Sequence, residues 1–328
     1  MTRTSVDWWA WRSKGSIEDH QRAIAAIFED SGQSTRLVPR KGGYMGYERS
    51  AQIVVGDLDA GLLAWGGENQ RGWTYTSITG SGCAWVSDWD KAQQAAEDCG
   101  SYETRRVDIA LDTFDKSVGF DSTLEAYRAG GFNLCGAGRP PKCEPMKPER
   151  PEDSAIIKIG NRASSKYLRG YEKGKQQLGS AIAASMLDDP DEAPISVSAL
   201  PILHPIDGGF AQVNVWDWWR LELELKPHTA PLPEDVIDRR DQYFAGAYPY
   251  LGQVLSGVDA EVLVMPRERG PRLDLAFALE NIRRQYGSTL FTALAAHHGD
   301  IGAVWERICG TKHSKALVAA GVLMVEHD

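Results

Sequence analysis

The chain has 328 residues, 42% apolar and 25% charged, with 45 acids against 36 bases and a formal net charge of −9. That composition describes a globular protein with enough chain for a large core, and the net negative charge argues against a protein that coats DNA nonspecifically. No run approaches the roughly 18 consecutive apolar residues of a membrane helix, and the opening "MTRTSVDWWAWRSK" lacks the apolar segment of a signal peptide, so a cytoplasmic location with no membrane partner is expected.

The chain opens on an aromatic, strand-like stretch, "VDWWAW", and a helix signal follows at Ser16. There a capping serine precedes acids, and Ile17, Ile24 and Ile27/Phe28 share one face. Residues 44–86 read as a meander of short strands punctuated by glycine: "SAQIVVGDL", "AGLLAWGG", "GWTYTSITG" and "GCAWV". "DWDKAQQAAEDCG" has helix composition, "TRRVDIALDTF" reads as a strand, and "DSTLEAYRAGGF" as a short helix with a glycine stop. Residues 136–153 are rich in proline and charge and read as an exposed loop. "SAIIKIGNR" and "SKYLRGYEKG" read as two strands joined by a polar turn. A second Pro-rich excursion spans about 189–209, and "FAQVNVWDWWRLELELK" (210–226) is the longest strand signal. Beyond about residue 233 the pattern is helical, as in "LDLAFALENIRRQYG" and "IGAVWERICG".

Strands interspersed with helices predict an α+β fold, a mainly antiparallel central sheet with flanking helices followed by a helical C-terminal region. The sheet domain is expected over residues 1–230 and the helical region over 231–328. Eleven tryptophans, several in strand-like stretches, are expected chiefly in the core, with any exposed remainder available to stack on unpaired bases. The five cysteines, Cys83, Cys99, Cys135, Cys143 and Cys309, are scattered and form no CxxC pair, which excludes a disulfide framework and a zinc site as expectations.

Carboxylates line up on two strands. Alternation puts Asp108 and Asp112 on one face of "RVDIALD", opposite Val107, Ile109 and Leu111. In "WRLELELK" it puts Arg220, Glu222, Glu224 and Lys226 opposite Leu221, Leu223 and Leu225. The plain reading is a solvated strand face. The functional reading is a hard-cation site, because Mg²⁺ or Mn²⁺ wants oxygen ligands and leaves positions open for a phosphate. Arg220 would then contact phosphate or pair with the acids.

A basic run crosses residues 158–175 of this acidic chain, with Lys158, Arg162, Lys166, Arg169, Lys173 and Lys175 around Tyr167 and Tyr171. A tyrosine near a metal-bound phosphate, with cations to hold the backbone, can attack a DNA phosphodiester and remain linked to it. In a regular strand Arg169, Tyr171 and Lys173 share a face with Tyr167, while Glu172 points away, which weakens Glu172 as a metal ligand unless a bulge intervenes. The plain alternative is a pair of strand aromatics. None of the seven histidines forms a His-apolar-His pair, and the P-loop, nucleophile elbow and dinucleotide fingerprint are all missing.

Five motifs in order then resemble one family: "GSGC" (80–83), "TRRVDIALDTF" (104–114), "IKIGNRASSKYLRGYEKGKQ" (157–176), "WWRLELELK" (218–226) and "DQYFAGAYPYL" (241–251). Together they look like the replication initiation factor family, in its filamentous-phage branch, related to rolling-circle plasmid initiators and some relaxases. The resemblance spans roughly residues 40–255. It implies an enzyme of a bacterial host's cytoplasm that nicks one strand at a replication origin, stays attached through tyrosine and religates. It also implies a divalent metal held by acids rather than by a histidine pair. Carried over, Asp108 matches the acid of the "RxD" strand, Glu222 and Glu224 the "ExE" strand, and Arg169, Tyr171 and Lys173 the "RxYxK" segment. One departure is Lys158, where many members have tyrosine. Tyr171 is therefore the expected nucleophile, with Tyr167 second. The metal would sit on Asp108, Glu222 and Glu224, with Asp112 and Glu172 as further candidates. Arg162, Lys166, Arg169, Lys173, Lys175 and Arg220 would hold origin DNA, single-stranded or extruded as a hairpin. The helical tail would recruit a host helicase, help read the origin, or pack on the sheet. The alternative is a non-catalytic DNA-binding or regulatory protein with the same fold.

Overall fold

A computed structural model describes residues 3–133, 140–149, 153–178, 201–206, 209–228, 230–263, 275–314 and 317–318. In chain order the elements are β1 (Ser5–Ser13), α1 (Ile17–Ile27), β2 (Thr35–Pro39), β3 (Arg49–Val55), β4 (Leu58–Trp65), β5 (Thr74–Ile78) and α2 (Gly80–Cys83). They continue with α3 (Trp89–Glu97), β6 (Tyr102–Thr113), α4 (Phe120–Arg128), β7 (Cys143–Met146), β8 (Ile156–Gly160), β9 (Lys166–Glu172) and α5 (Lys173–Leu178). The remainder are β10 (Pro201–Ile206), β11 (Gly209–Asn214), β12 (Trp219–Leu225), α6 (Arg240–Ala247), α7 (Pro249–Val254), α8 (Leu275–Ala296) and α9 (Ile301–Ile308).

The chain divides into two compact units, Met1–Met265 and Pro266–Asp328. The first is built on a ten-stranded sheet of order β2-β3-β4-β5-β1-β6-β12-β9-β8-β7, every neighbouring pair antiparallel. This is the expected α+β architecture. α6 and α7 belong to this unit, and α8 and α9 make up the described helices of the second. Among the described residues no helix is long and apolar enough to cross a membrane.

One face of the sheet carries the core. Trp9 and Trp11 from β1, Val107, Ile109 and Leu111 from β6, and Leu221, Leu223 and Leu225 from β12 are buried there with Ile24, Phe28, Ala92, Ala96, Phe244 and Leu251 from the helical segments. The helices dock because their apolar residues fall on one side. α1 begins at a capping box in which the Ser16 side chain accepts from the Asp19 amide and Asp19 accepts from the Ser16 amide. Trp9 and Trp11 stack at 4.1 Å between ring centroids, and Trp219 is also buried, so the expected core role holds for these three. Trp85 and Trp305 are exposed. Gly170 in β9 is a close-approach position: a Cβ there would lie 2.9 Å from both the Trp219 ring and the Ile157 side chain.

Local structure departs from the sequence expectation in several places. "GCAWV" is not a strand: residues 80–83 form the helical turn α2, held where the Gly82 backbone approaches the Ala60 carbonyl too closely for any Cβ. The stretch 210–226 is not one strand, because Asn214 caps a 3-10 turn at Val215–Asp217 and pairing resumes at Trp219. β9 ends at Glu172, and Lys173 opens α5 instead of continuing the strand. The loop reading of 136–153 missed β7, a short edge strand, and β2 carried no expectation. The Pro-rich excursion at 189–209 lies mostly outside the described residues, and its end forms β10.

Candidate active site and nucleic-acid interface

The opposite face of the sheet holds the candidate site. β12 sits between β6 and β9, and register aligns the motifs across the three strands. Arg220 lies opposite Asp112 and Tyr171, Glu222 opposite Ala110 and Arg169, and Glu224 opposite Asp108 and Tyr167. Alternation therefore brings Asp108, Asp112, Arg220, Glu222, Glu224, Tyr167, Arg169 and Tyr171 to one face.

That face is not solvated. Asp108 and Glu224 are each 1% exposed, Glu222 3%, and Arg220 7%, so the plain reading of an exposed polar strand face fails. Burial of charge on this scale requires partners, since each desolvated ion costs several kcal/mol. Arg106 forks onto Asp108 at 2.7 and 2.5 Å and reaches Glu224 at 3.2 Å. Arg169 bonds Glu222 and lies 3.7 Å from Asp108. Lys226 and Arg162 pair with Glu224 at 2.7 and 3.7 Å. Arg220 is fixed on Asp112 at 2.7 and 2.6 Å and on Asp7 at 2.5 Å, while the Trp218 indole donates to Asp112 at 2.7 Å.

Asp7, Arg106 and Trp8 were not singled out from the sequence. A bulge in β1 between Val6 and Trp8 adds Asp7 as an extra residue and turns it toward Arg220. A second shift, between Ala10 and Trp11, leaves Arg105 as the extra residue beside Arg106 on β6. The signal for Arg106 was present, because it stands two residues before Asp108 and shares its face.

At the centre, Tyr171 donates its phenol hydrogen to Glu222 Oε2 at 2.8 Å. Burial, reinforced by the Glu222 charge, pushes the Tyr171 pKa well up. Asp108 and Glu222 are buried carboxyls on the same face of neighbouring strands. Burial pushes Asp108 up to about 7, Arg106 offsets part of that rise, and the Glu222 charge adds to it. Burial would raise Glu222 too, but Arg169, the Asp108 hydrogen bond and Tyr171 outweigh it and hold Glu222 below the usual range. Two neighbouring buried acids cannot both ionise cheaply, which is why burial and the Glu222 charge act on Asp108 in the same direction.

Among the described residues no three His, Cys, Asp or Glu side chains converge as a metal-ready set. Asp108 and Glu222 lie on the same face and are paired with Arg106 and Arg169. Glu224 is committed to three cations and Asp112 to Arg220. Glu172 points away, accepting from the Ala155 amide at 2.7 Å and pairing with Lys175 at 3.1 Å.

The basic residues separate as well. Arg169 and Lys173 stay at the site: Lys173 lies 5.8 Å from the Tyr171 ring, and burial, then Arg220, lowers its pKa. Arg162 is mostly exposed at the β8–β9 turn. Lys166 belongs to the opposite face, where its ammonium donates to the Ala247 carbonyl at 2.6 Å and sits 4.6 Å over the Tyr248 ring, and burial brings its pKa down to about 8. Lys175 lies beside Glu172 and the Asp153 carbonyl. Tyr167 shares the site face and is 8% exposed, and burial raises its pKa. Among the described residues its hydroxyl has no hydrogen bond comparable to that of Tyr171.

Beside this array, toward β1 and β5, runs a groove of about 690 Å³ lined by Trp8, Tyr44, Tyr47 and Tyr75 together with Arg12, Arg105, Arg106, Arg162, Glu224 and Lys226. Cations and aromatic side chains share that lining, a combination also found on surfaces that hold single strands.

No protein-family model matches the chain, and no curated protein does. Among solved structures, the rolling circle replication initiator protein from Geobacillus stearothermophilus is similar to it, at 16% identity and a TM-score of 0.45, over 68% of this chain and 74% of that one. A similarity of that size carries no argument about activity.

Proposed function

We propose that the chain is an origin-specific DNA nicking and strand-transfer enzyme that initiates rolling-circle replication of a filamentous phage or plasmid. The observation that carries the proposal is the Tyr171 phenol donating to Glu222 at 2.8 Å, beside the Asp108–Glu222 carboxyl pair and Arg169. A nucleophile hydrogen-bonded to an acceptor, with that acceptor oriented by further groups, is the arrangement of activated hydroxyl catalysis.

In the proposed reaction the Tyr171 oxygen attacks the scissile phosphorus and the bond to the 3′ oxygen breaks. The product is a 5′-phosphotyrosyl link and a free 3′-OH, and the reverse attack by a 3′-OH religates the strand. Glu222 accepts the phenol proton and passes it to the leaving 3′ oxygen, and the proton returns by the same route on religation. Arg169 and Lys173 face the phosphate and offset its charge. A Mg²⁺ or Mn²⁺ ion on Asp108 and Glu222 would supply positive charge beside both the phenol and the phosphate. Tyr167, four residues earlier on the same face of β9, is the second candidate nucleophile.

One observation favours the non-catalytic alternative: Tyr171 is 8% exposed and every acid on the face already has a cationic partner. A supercoiled plasmid carrying the origin separates the two readings. With Mn²⁺ or Mg²⁺, conversion to open circles bearing protein at a 5′ end supports the enzyme. Retarded but uncut plasmid under the same conditions supports the binding protein.

A further inference from the structure

The groove beside the carboxyl pair has features that proton and phosphate chemistry at Tyr171 do not use. Its wall contains two buried polar atoms without a hydrogen bond, Trp8 Nε1 and Glu224 Oε2. Glu224 Oε2 lies 3.2 Å from the Arg106 guanidinium and 3.7 Å from Arg162 Nε as ion pairs, in neither case with hydrogen-bond geometry. Buried polar atoms without a hydrogen bond are costly, and a donor and an acceptor lining one groove are groups that the edge of a nucleobase would satisfy.

The aromatic wall is built, not incidental. Tyr44 and Tyr47 bracket a two-residue turn whose central residues both have positive φ, Met45 at 49° and Gly46 at 86°. Paired backbone hydrogen bonds of 3.2 and 2.9 Å close it. A non-glycine residue in that region is strained, and here the strain holds the two tyrosines at equal 6.1 Å centroid distances from Tyr75. Opposite them Arg106 lies 4.6 Å over the Trp8 ring. In a chain of net charge −9, the arginines here are a local concentration rather than a consequence of composition.

We propose that this groove seats one unpaired nucleotide of single-stranded DNA. Its base stacks on Tyr44 and Tyr75, its backbone lies along Arg105 and Arg162, and its edge meets Glu224. Duplex bases stack on one another and cannot offer their faces, so the occupant is a single strand. A carboxylate only accepts, so it favours bases with an amino group (guanine, cytosine or adenine) over thymine, which sets one N–H between two carbonyls. Glu224 follows Glu222 by two residues on β12, about 7 Å along the strand, so the seated nucleotide would flank the scissile phosphate. That placement rests on the nicking reading, whereas the groove's affinity and base preference do not.

The test is fluorescence anisotropy with labelled pentanucleotides on the full chain in EDTA, where no metal-dependent cutting can contribute. The wild type is expected to bind a thymine pentamer with a central guanine or cytosine about fivefold or more tighter than the all-thymine pentamer. Tyr44→Ala is expected to weaken every pentamer about fivefold or more and Tyr44→Phe to retain binding. Glu224→Gln is expected to flatten the base preference. Equal wild-type affinity for all pentamers, or unchanged binding by Tyr44→Ala, overturns the proposal. Displacement of the pentamer by an equal concentration of an oligo-glutamate peptide also overturns it, in favour of an acidic protein partner. A base preference without nicking in the plasmid assay leaves the groove standing and sinks the enzyme reading. Nicking without base preference does the reverse.

Discussion

Replacing Arg220 with methionine should destabilise the sheet unit far more than a typical surface arginine would. Arg220 is 7% exposed and makes two hydrogen bonds to Asp112 and one to Asp7. Its removal leaves two acids facing each other across β1 and β6 with no cation between them. Breaking a buried pair from one side costs about 3–5 kcal/mol, and the value here should fall near the lower end because Asp7 keeps 23% side-chain exposure. For a unit of this size that corresponds to a fall in Tm of roughly 6–12 °C. The deficit should depend on pH with a definite sign. Burial already raises Asp7, and Arg220 is the main group holding it down. In Arg220→Met the folded-state pKa of Asp7 rises further above its unfolded value. The stability attached to its protonated form is present below about pH 4 and lost as pH rises. Urea unfolding followed by tryptophan fluorescence should therefore show a small deficit at pH 4 and the full one at pH 7.5. A loss under about 1 kcal/mol that is the same at both pH values would refute the reasoning.

His20 gives the opposite pH dependence. It is fully buried between the Ser13 and Thr76 hydroxyls at 2.8 and 2.7 Å, and burial lowers its pKa to about 4. Between pH 6.5 and 4 the unfolded chain binds a proton that the folded one refuses, so stability present above 6.5 is lost on acidification, by about 3 kcal/mol at pH 4. His20→Gln should flatten that slope in urea titrations, and an unchanged slope would refute the assignment. For the cation site, Asp108→Asn and Glu222→Gln should each weaken Mn²⁺ binding about tenfold or more by calorimetry, while Glu172→Gln leaves it unchanged. Equal effects from all three would contradict the two-carboxylate site. For DNA, Arg162→Gln should reduce the dependence of log affinity on log salt by about 0.7 for a single strand, and Lys166→Gln should leave it alone. Lys166 faces Ala247 and Tyr248 on the core side.

Much of the site was legible because strand periodicity is local. Alternation alone put Asp108 with Asp112, and Glu222 with Glu224, on faces opposite their leucines, and it turned Glu172 away from Tyr171. The pairing of β6, β12 and β9, which joins residues 47 to 118 positions apart, is set by tertiary packing and was not legible. Nor was burial of the polar face, because that depends on Arg106, Arg169 and Arg220 folding over the acids. Asp7 was hidden by a bulge that periodicity cannot foresee. The end of β9 at Glu172 was missed because Lys173-Gly174 continues the alternation in sequence while the chain turns into α5 to meet the turn at Val215.

The most direct measurement is a covalent-adduct assay. Purified protein is incubated with end-labelled single-stranded origin DNA and Mn²⁺, denatured, digested, and the DNA-linked peptide identified by mass spectrometry. The expected result is a 5′-phosphotyrosyl peptide containing Tyr171, absent from Tyr171→Phe although that variant still binds the DNA. A full yield of adduct and nicked product from Tyr171→Phe would contradict the proposed chemistry.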